Sequence, residues 1–228
     1  TSLAGNVLTN FNISVALTEA FMRAVESDGD YDLVDPHTGA KTPISARLVF
    51  EKLVEMAWAT GEPGIAFIDR INRDNPTPQL GEIEQINACG EQPLLPYESC
   101  NLGSINLEKM VSEAPDGEPG RYLIDYALIG QTVDDAVHFL DNIITVNHFP
   151  LPEIEEATLK TRKIGLGVMG FANMLFKLSV PYDSDEARYI AENIMGFIHQ
   201  RADAASRALA KTRGLFPACA GSVFDGDE

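Results

Sequence analysis

Residues 87–107 read NACGEQPLLPYESCNLGSINL, a segment with two prolines, little helical period and two cysteines, Cys89 and Cys100. An amide, Asn87, lies two residues before the first thiol, and a carboxylate, Glu91, lies two after it. On an extended backbone alternate residues share a face, so Asn87, Cys89 and Glu91 are expected to project together. Gly90 permits close approach of backbone to a ligand, and Pro93 and Pro96 stiffen the second half of the loop. From the residues alone three readings stay open. The loop is structural with buried cysteines, or it carries a regulatory Cys89–Cys100 disulfide, or it presents thiol, carboxamide and carboxylate together to a ligand.

The flanks decide what kind of chain carries this loop. Val7–Val15 has β-branched residues in partial alternation and predicts a strand. It runs into a helix from about Thr18 to Val25, with Thr18 as N-cap and Glu19 in the first turn. Residues 26–42 are rich in Asp and Gly without a period and predict an exposed excursion. Ser45 caps a helix with Leu48, Val49, Leu53, Met56 and Ala57 on one face, closed by Gly61 and Pro63. Gly64–Ile68 predicts a short buried strand, and after it a Pro/Asn-rich loop runs to about Gly81.

Beyond the cysteines, Leu102–Leu107 predicts a strand and Ser112–Gly120 a turn-rich surface insertion. Asp125 opens a long helix in which Ile129, Val133, Val137, Leu140 and Ile144 step by fours and threes. Pro150 and Pro152 are expected to break the chain after this helix. Phe171–Leu178 predicts a short helix. Ser184 caps the last long helix, with Ile190, Ile194, Phe197 and Ile198 facing inward and Gly214 closing it. Strands alternating with helices indicate an α/β fold with largely parallel strands.

Bulk properties exclude several functions. At 228 residues, 45% hydrophobic and 22% charged, the chain has globular composition and can bury a sizeable core. A net charge of −17 argues against nucleic-acid partners, which need a basic footprint. Any anionic ligand must then be held by local donors rather than by the overall field. No apolar run is long enough to span a membrane, and no secretory signal is evident. Three cysteines do not make a disulfide framework, so a reducing, cytoplasmic compartment is expected. The opening Thr1-Ser2-Leu3 and the closing Asp225-Gly226-Asp227-Glu228 both read like cuts through something longer.

Other constellations carry less. Gly165-x-Gly167-x-x-Gly170 before a helix matches a dinucleotide fingerprint, with Asp183 near the place of a ribose-binding acid. The residues before it, EIEEATLKTRK, hold almost no apolar run, whereas a fingerprint loop should come after a buried strand. A short strand and a tight turn whose glycines let a helix pack closely is the better reading. His37, His138, His148 and His199 share no ligand spacing, so no metal site is expected. Cys219, in LFPACAG, reads as a packing residue.

At the cysteine loop the sequence becomes recognisable. Asn87 to Leu94, Pro96 to Leu102 and Ser104 to Leu107 closely resemble the finger loop of ribonucleotide reductase catalytic subunits. The short spacing from Cys89 to Cys100 resembles the class II, adenosylcobalamin-dependent enzymes, since class I large subunits place more residues between the two. The resemblance extends to Asn10–Val15, Gly64–Asp69 and Arg162–Phe171, and so covers nearly the whole chain. Ala88 departs from it, because the family usually has proline there.

The resemblance implies the central part of a ten-stranded α/β barrel. Residues 1–228 would form a partial catalytic barrel domain, incomplete at both ends, with a buried finger loop at about 87–100. It implies that a 5′-deoxyadenosyl radical from adenosylcobalamin takes hydrogen from Cys89, whose thiyl removes the ribose 3′-hydrogen. Glu91 would be the general base on the 3′-hydroxyl and Asn87 would hydrogen-bond the ribose hydroxyls. Cys100 would be one of two reducing cysteines, with its partner outside the chain. Asn87, Ala88, Cys89, Gly90, Glu91 and Leu102 would line the substrate site.

The implied partners are a ribonucleotide substrate, a nucleotide effector bound mainly by other segments, and a thioredoxin-type or dithiol reductant. Missing halves of the same enzyme or a homodimer are further expected partners, and neither nucleic acid nor membrane is. In the family the second reducing cysteine and the effector loops lie upstream, and the phosphate-holding loop lies downstream. The alternatives are a redox-sensing or structural α/β module and a class I large-subunit homologue.

Overall fold

Helix boundaries fall at the caps written into the sequence. The computed structural model describes residues 11–115 and 118–226. The chain divides into two compact units between Pro96 and Tyr97, with residues 221–224 belonging to the first. Residues 87–100, expected from the sequence to be a finger loop, straddle that division.

In the first unit β1 (Ser14–Leu17) leads into α1 (Glu19–Glu26), where Thr18 Oγ1 accepts from the Phe21 N–H. The strand starts later than the period suggests and runs on to Leu17, and residues 7–10 of the expected strand lie outside the described residues. β2 (Asp30–Val34) and β3 (Lys41–Ser45) then form an antiparallel hairpin within the stretch expected to be an irregular excursion. The pattern hid it because both strands are mostly exposed, so no buried face imposes alternation. Its turn is closed by Asp35 Oδ1, which accepts from the N–H groups of His37 and Thr38.

α2 (Ala46–Thr60) starts at the Ser45 cap and ends at Gly61, which is left-handed at φ 81°. Val49, Phe50 and Leu53 pack against Leu17, Phe21, Val25 and Ala46, the core of this unit. Leu48 does not join them and is exposed. One helical step takes it off the stripe, because Ala46, Val49, Phe50 and Leu53 already define the buried arc.

β4 (Gly64–Phe67) pairs in parallel with β1, from Ser14↔Gly64 to Leu17↔Phe67. It is not the buried strand expected: only Ala66 is buried, and Ile65 and Phe67 are exposed, since this sheet has two strands. The expected loop after it begins with a short helix, α3 (Ile68–Arg73). Buried Asn75 and partly buried Asn72 then organise the chain. Asn72 Nδ2 donates to the Ile83 carbonyl at 2.9 Å while its Oδ1 accepts from Ile83 N–H at 2.7 Å. Asn75 Nδ2 donates to the Gly81 carbonyl at 2.9 Å. These bonds deliver residues 83–86 to β5 (Gln85–Ile86), which pairs antiparallel with β6 (Pro93–Leu94).

The second unit is built on β7 (Asn101–Asn106). After it come the hairpin of β8 (Val111–Glu113) and β9 (Tyr122–Ile124), and then α4 (Tyr126–Val146). The expected insertion at 112–120 is thus partly the strand β8 and the turn of this hairpin. Asp125 Oδ1 accepts from the Leu128 N–H to start α4, and Ile129, Val133, Val137, Leu140 and Ile144 are all buried as the spacing predicts. The proline break does not hold after Pro152, because α5 (Pro152–Thr161) begins on it. Proline is tolerated in the first turn, where its missing N–H would have no helical partner.

β10 (Ile164–Met169) pairs in parallel with β7, from Ile164↔Asn101 to Met169↔Asn106. The glycine cluster is therefore a strand. Gly170, left-handed at φ 72°, turns it into α6 (Phe171–Leu178), in keeping with a tight turn that lets a helix pack closely. α7 (Asp185–Arg213) starts at Ser184 and ends at Gly214. Ile105, Leu107, Ile129, Val133, Val137, Met174, Ile194 and Ile198 form the core of this unit, a cluster large enough for it to hold its own shape.

The two crossover pairs are parallel and the three hairpins antiparallel. Among the described residues the strands form five two-stranded sheets rather than a closed barrel.

Candidate functional site

One candidate segment is the connection between β5 and β6. Gly90 N–H donates to the Asn87 carbonyl at 3.0 Å, which makes residues 87–90 a β-turn with Ala88 and Cys89 at its centre. Asn87 closes it from the side: its Oδ1 accepts from Gln92 N–H at 2.9 Å, and its own N–H donates to the Gln92 carbonyl at 3.2 Å. Gly90 sits at φ 84°, which a side chain rarely tolerates, so it is required here by backbone shape.

This geometry corrects two expectations. The segment is a turn and not an extended strand, so alternation does not set the directions of Asn87, Cys89 and Glu91. The turn is also exposed: Ala88, Cys89, Gly90 and Glu91 all face solvent, and Asn87 is half-buried. Here the hairpin is two residues a side, and only Ile86 comes near Gly90, its Cδ1 lying 3.7 Å from where a Cβ would be.

The turn explains its residue types. Asn favours the first position, and Gly the fourth, of such turns, while Pro favours the second. Ala88 occupies that second position, and no hydrogen bond from its N–H is present to be lost. Ala88→Pro is therefore expected to raise stability by about 0.4–1 kcal/mol through a stiffer unfolded chain. Denaturant melts of the two proteins at equal m-value check this, and a loss of stability would show that the turn does not accept proline's φ.

A separate candidate segment, in the second unit, lies at the entry to β7. Residues 98, 99 and 101 are each anchored. Glu98, with its side chain fully buried, accepts through Oε2 from Lys163 Nζ at 2.7 Å. Ser99 Oγ bonds Thr158 Oγ1 of α5 at 2.7 Å. Asn101 Nδ2 donates to the Leu140 carbonyl of α4 at 2.9 Å. Cys100 is half-buried between them, and its Sγ makes only a weak contact, 3.6 Å, with the Asn101 carbonyl. Burial pushes its thiol up to about 11, with Lys163 opposing the rise and Glu98 adding to it. Cys100 is thus a protonated thiol near neutral pH, able to give up hydrogen and a poor spontaneous nucleophile.

Leu102, on β7 opposite Gly165, is half-exposed. Cys219 is buried, as its packing role requires. Cys89, Cys100 and Cys219 are each present as the thiol and not as a disulfide. Among the described residues no group of three acidic, histidine or cysteine side chains could hold a metal ion. No helix among them is long and apolar enough to cross a membrane. The pairing of Glu98 with Lys163 is not legible in the sequence. Glu98 signals itself only by standing two residues before Cys100. Lys163 gives no signal at all, because its partner is distant along the chain.

Comparison with known proteins agrees with this architecture. Residues 5–227 match the family described as ribonucleotide reductase, barrel domain. The chain is 50% identical over 220 residues to a vitamin B12-dependent ribonucleoside-diphosphate reductase of Thermoplasma acidophilum, covering 96% of this chain and 28% of that protein. It is also 50% identical over 220 residues to a protein of that name from Mycobacterium tuberculosis, covering 95% of this chain and 30% of that one. A vitamin B12-dependent ribonucleotide reductase of Streptomyces clavuligerus is 36% identical over 183 residues, which is 80% of this chain and 19% of that protein. The chain thus spans less than a third of the length of these relatives. With a match that runs almost from end to end, the chain belongs to the ribonucleotide reductase barrel-domain family.

Proposed function

We propose that this chain supplies the radical-bearing finger loop and one reducing cysteine of an adenosylcobalamin-dependent ribonucleotide reductase acting on ribonucleoside diphosphates. The observation that carries the reading is an exposed, unbonded Cys89 thiol at the centre of a turn held by Asn87 and Gly90. The names of the relatives support the cofactor and the diphosphate.

The thiol fits the cofactor chemically, since a free S–H open to approach can exchange hydrogen with a carbon radical. When bound, adenosylcobalamin supplies the radical equivalent that leaves Cys89 as a thiyl. The remaining steps belong to this chain's residues and the substrate. The Cys89 thiyl takes the ribose 3′-hydrogen and becomes a thiol again. Glu91 accepts the 3′-hydroxyl proton. Asn87, whose Oδ1 is committed to the Gln92 N–H, offers its amide hydrogens to the ribose hydroxyls. The 2′-hydroxyl leaves as water, with Cys100 and a second thiol supplying two protons and two electrons and ending as a disulfide. Cys89 then returns its hydrogen to the 3′-carbon. One ribonucleotide and two thiols give one deoxyribonucleotide, one disulfide and one water.

Residues 1–228 act as part of a catalytic barrel, with the loop 87–100 as its finger. A nucleotide effector and a thioredoxin-type or dithiol reductant complete the set of partners. The test is deoxyribonucleoside diphosphate formation by a chain of the relatives' full length carrying this segment. It is expected to require adenosylcobalamin and a dithiol. Turnover without cobalamin would overturn the assignment. The 228-residue chain alone is expected to form no product. Cys89 has to stay free to carry the radical and Cys219 is buried, which leaves Cys100 without a second reducing thiol. Multiple turnovers by it would show that the division of roles among the cysteines is wrong.

A further inference from the structure

Lys163 and Glu98 form the most buried ion pair among the described residues, and they flank a thiol. The parallel register begins at Asn101↔Ile164, so Cys100 and Lys163 are the residues that immediately enter the two paired strands. Glu98 comes from the same entry segment as Cys100 and reaches Lys163 Nζ at 2.7 Å. The Glu98 side chain is fully buried and that of Lys163 is 19% exposed. Burying a pair this far is costly and is poor evidence for stability alone.

Other charged groups on the surrounding elements are engaged elsewhere or exposed. Asp141 on α4 is held by Arg162 and Arg213. From α5, Thr158 brings an uncharged hydroxyl and Lys160 is exposed. Glu98 and Lys163 are the two charges that act on the Cys100 sulfur.

We propose that Glu98 is a positioning residue for the Cys100 thiol, clamping the Lys163 ammonium so that its charge does not draw the proton off the sulfur. An unclamped ammonium beside Cys100 would favour thiolate, which cannot donate the hydrogen that reduction of the sugar consumes. A lone buried carboxylate would hold the proton too firmly for the disulfide to be re-reduced through a thiolate. The pair, with no net charge, keeps the thiol protonated yet exchangeable. This rests on the reading of Cys100 as a reducing cysteine, but its test does not need turnover.

The experiment is iodoacetamide labelling of the folded 228-residue chain across pH, with Cys100 followed by peptide mass spectrometry so that Cys89 and Cys219 do not interfere. In Glu98→Gln the pH midpoint of Cys100 labelling is expected to fall by about one unit, because the carboxylate charge no longer opposes that of the ammonium at the sulfur. In Lys163→Met it is expected to rise, because the ammonium charge no longer opposes that of the carboxylate at the sulfur. The double variant should return close to the parent, and Lys163→Arg should resemble it. Shifts of opposite sign cannot come from loosened packing, which would speed labelling at every pH in all variants. If neither single variant moves the midpoint, or both move it the same way, the proposal fails. Failure of either single variant to fold leaves the other to decide, since each predicts a signed shift from the parent. If the shifts appear but Cys100→Ala leaves full-length reduction intact, the electrostatic assignment stands and the reductase role of Cys100 falls.

Discussion

Cys89→Ala, in a chain of the relatives' full length, is expected to remove ribonucleotide reduction by more than about a thousandfold, roughly 4 kcal/mol of barrier or more. Alanine has no weak bond to hydrogen, so no carrier remains between the cofactor and the sugar. Glu91→Gln is expected to separate the steps. The amide cannot take the 3′-hydroxyl proton, yet the Cys89 thiol still exchanges hydrogen. Tritium at the 5′ position of the cofactor should therefore wash out in Glu91→Gln and stay put in Cys89→Ala, while neither forms much product. Because Cys89 lies in the exposed turn and exposed Glu91 directly follows it, neither change should disturb folding, and melting curves should overlay the parent's. Near parental reduction by Glu91→Gln would show that the base lies elsewhere.

The largest structural effect is expected at Gly170. Its φ of 72° is left-handed, and a Cβ there would lie 2.3 Å from Asn106 Oδ1 and 3.3 Å from the Glu108 backbone nitrogen. Asn106 Oδ1 is itself occupied, accepting from the Glu108 N–H at 3.1 Å. Gly170→Ala must thus strain the backbone and also displace the amide that caps the turn after β7. Strain of about 1–2 kcal/mol and a lost cap of about 1 kcal/mol sum to roughly 2–3 kcal/mol. Gly167 offers the control, since a Cβ there meets Ser104 Oγ at 3.8 Å, an ordinary contact. Gly167→Ala should cost well under half as much in the same urea titration. Equal losses at the two positions would mean that the turn relaxes around Gly170 more freely than its contacts suggest.

Both results bear on the reacting segment. Gly170 secures the far end of the β7·β10 pair, whose near end carries Cys100 and Lys163. Loosening the turn should weaken the pairing that brings the Glu98–Lys163 bond to the thiol, so Gly170→Ala is also the variant in which Cys100 should become more accessible.

Much of the helical framework was legible in the chain. Thr18, Ser45, Asp125 and Ser184 each accept from an N–H three residues on, and Gly61 and Gly214 each end a helix. The five apolar positions named by the spacing of α4 are all buried. The family was readable too, because the motif residues that carry the resemblance sit within a few positions of each other. These features share a cause: the groups that satisfy them lie within a turn or two along the backbone, so their identity and spacing suffice.

What the tertiary structure decided lies across long separations or on unburied surfaces. The parallel registers of β1 with β4 and of β7 with β10 join residues about fifty to sixty apart, and no local pattern encodes which strand a crossover returns to. The hairpin of β2 and β3 carried no period because neither face is buried. Pro152 starts a helix because position in the first turn, not proline itself, determines whether a missing N–H matters. The turn at Cys89 bent a segment whose alternation suggested one shared face, since Gly90 and the Asn87 side chain satisfy the backbone within the loop. Lys163 came to the Cys100 thiol from 65 positions beyond Glu98. A charge changes a thiol through space, and only the fold sets that distance.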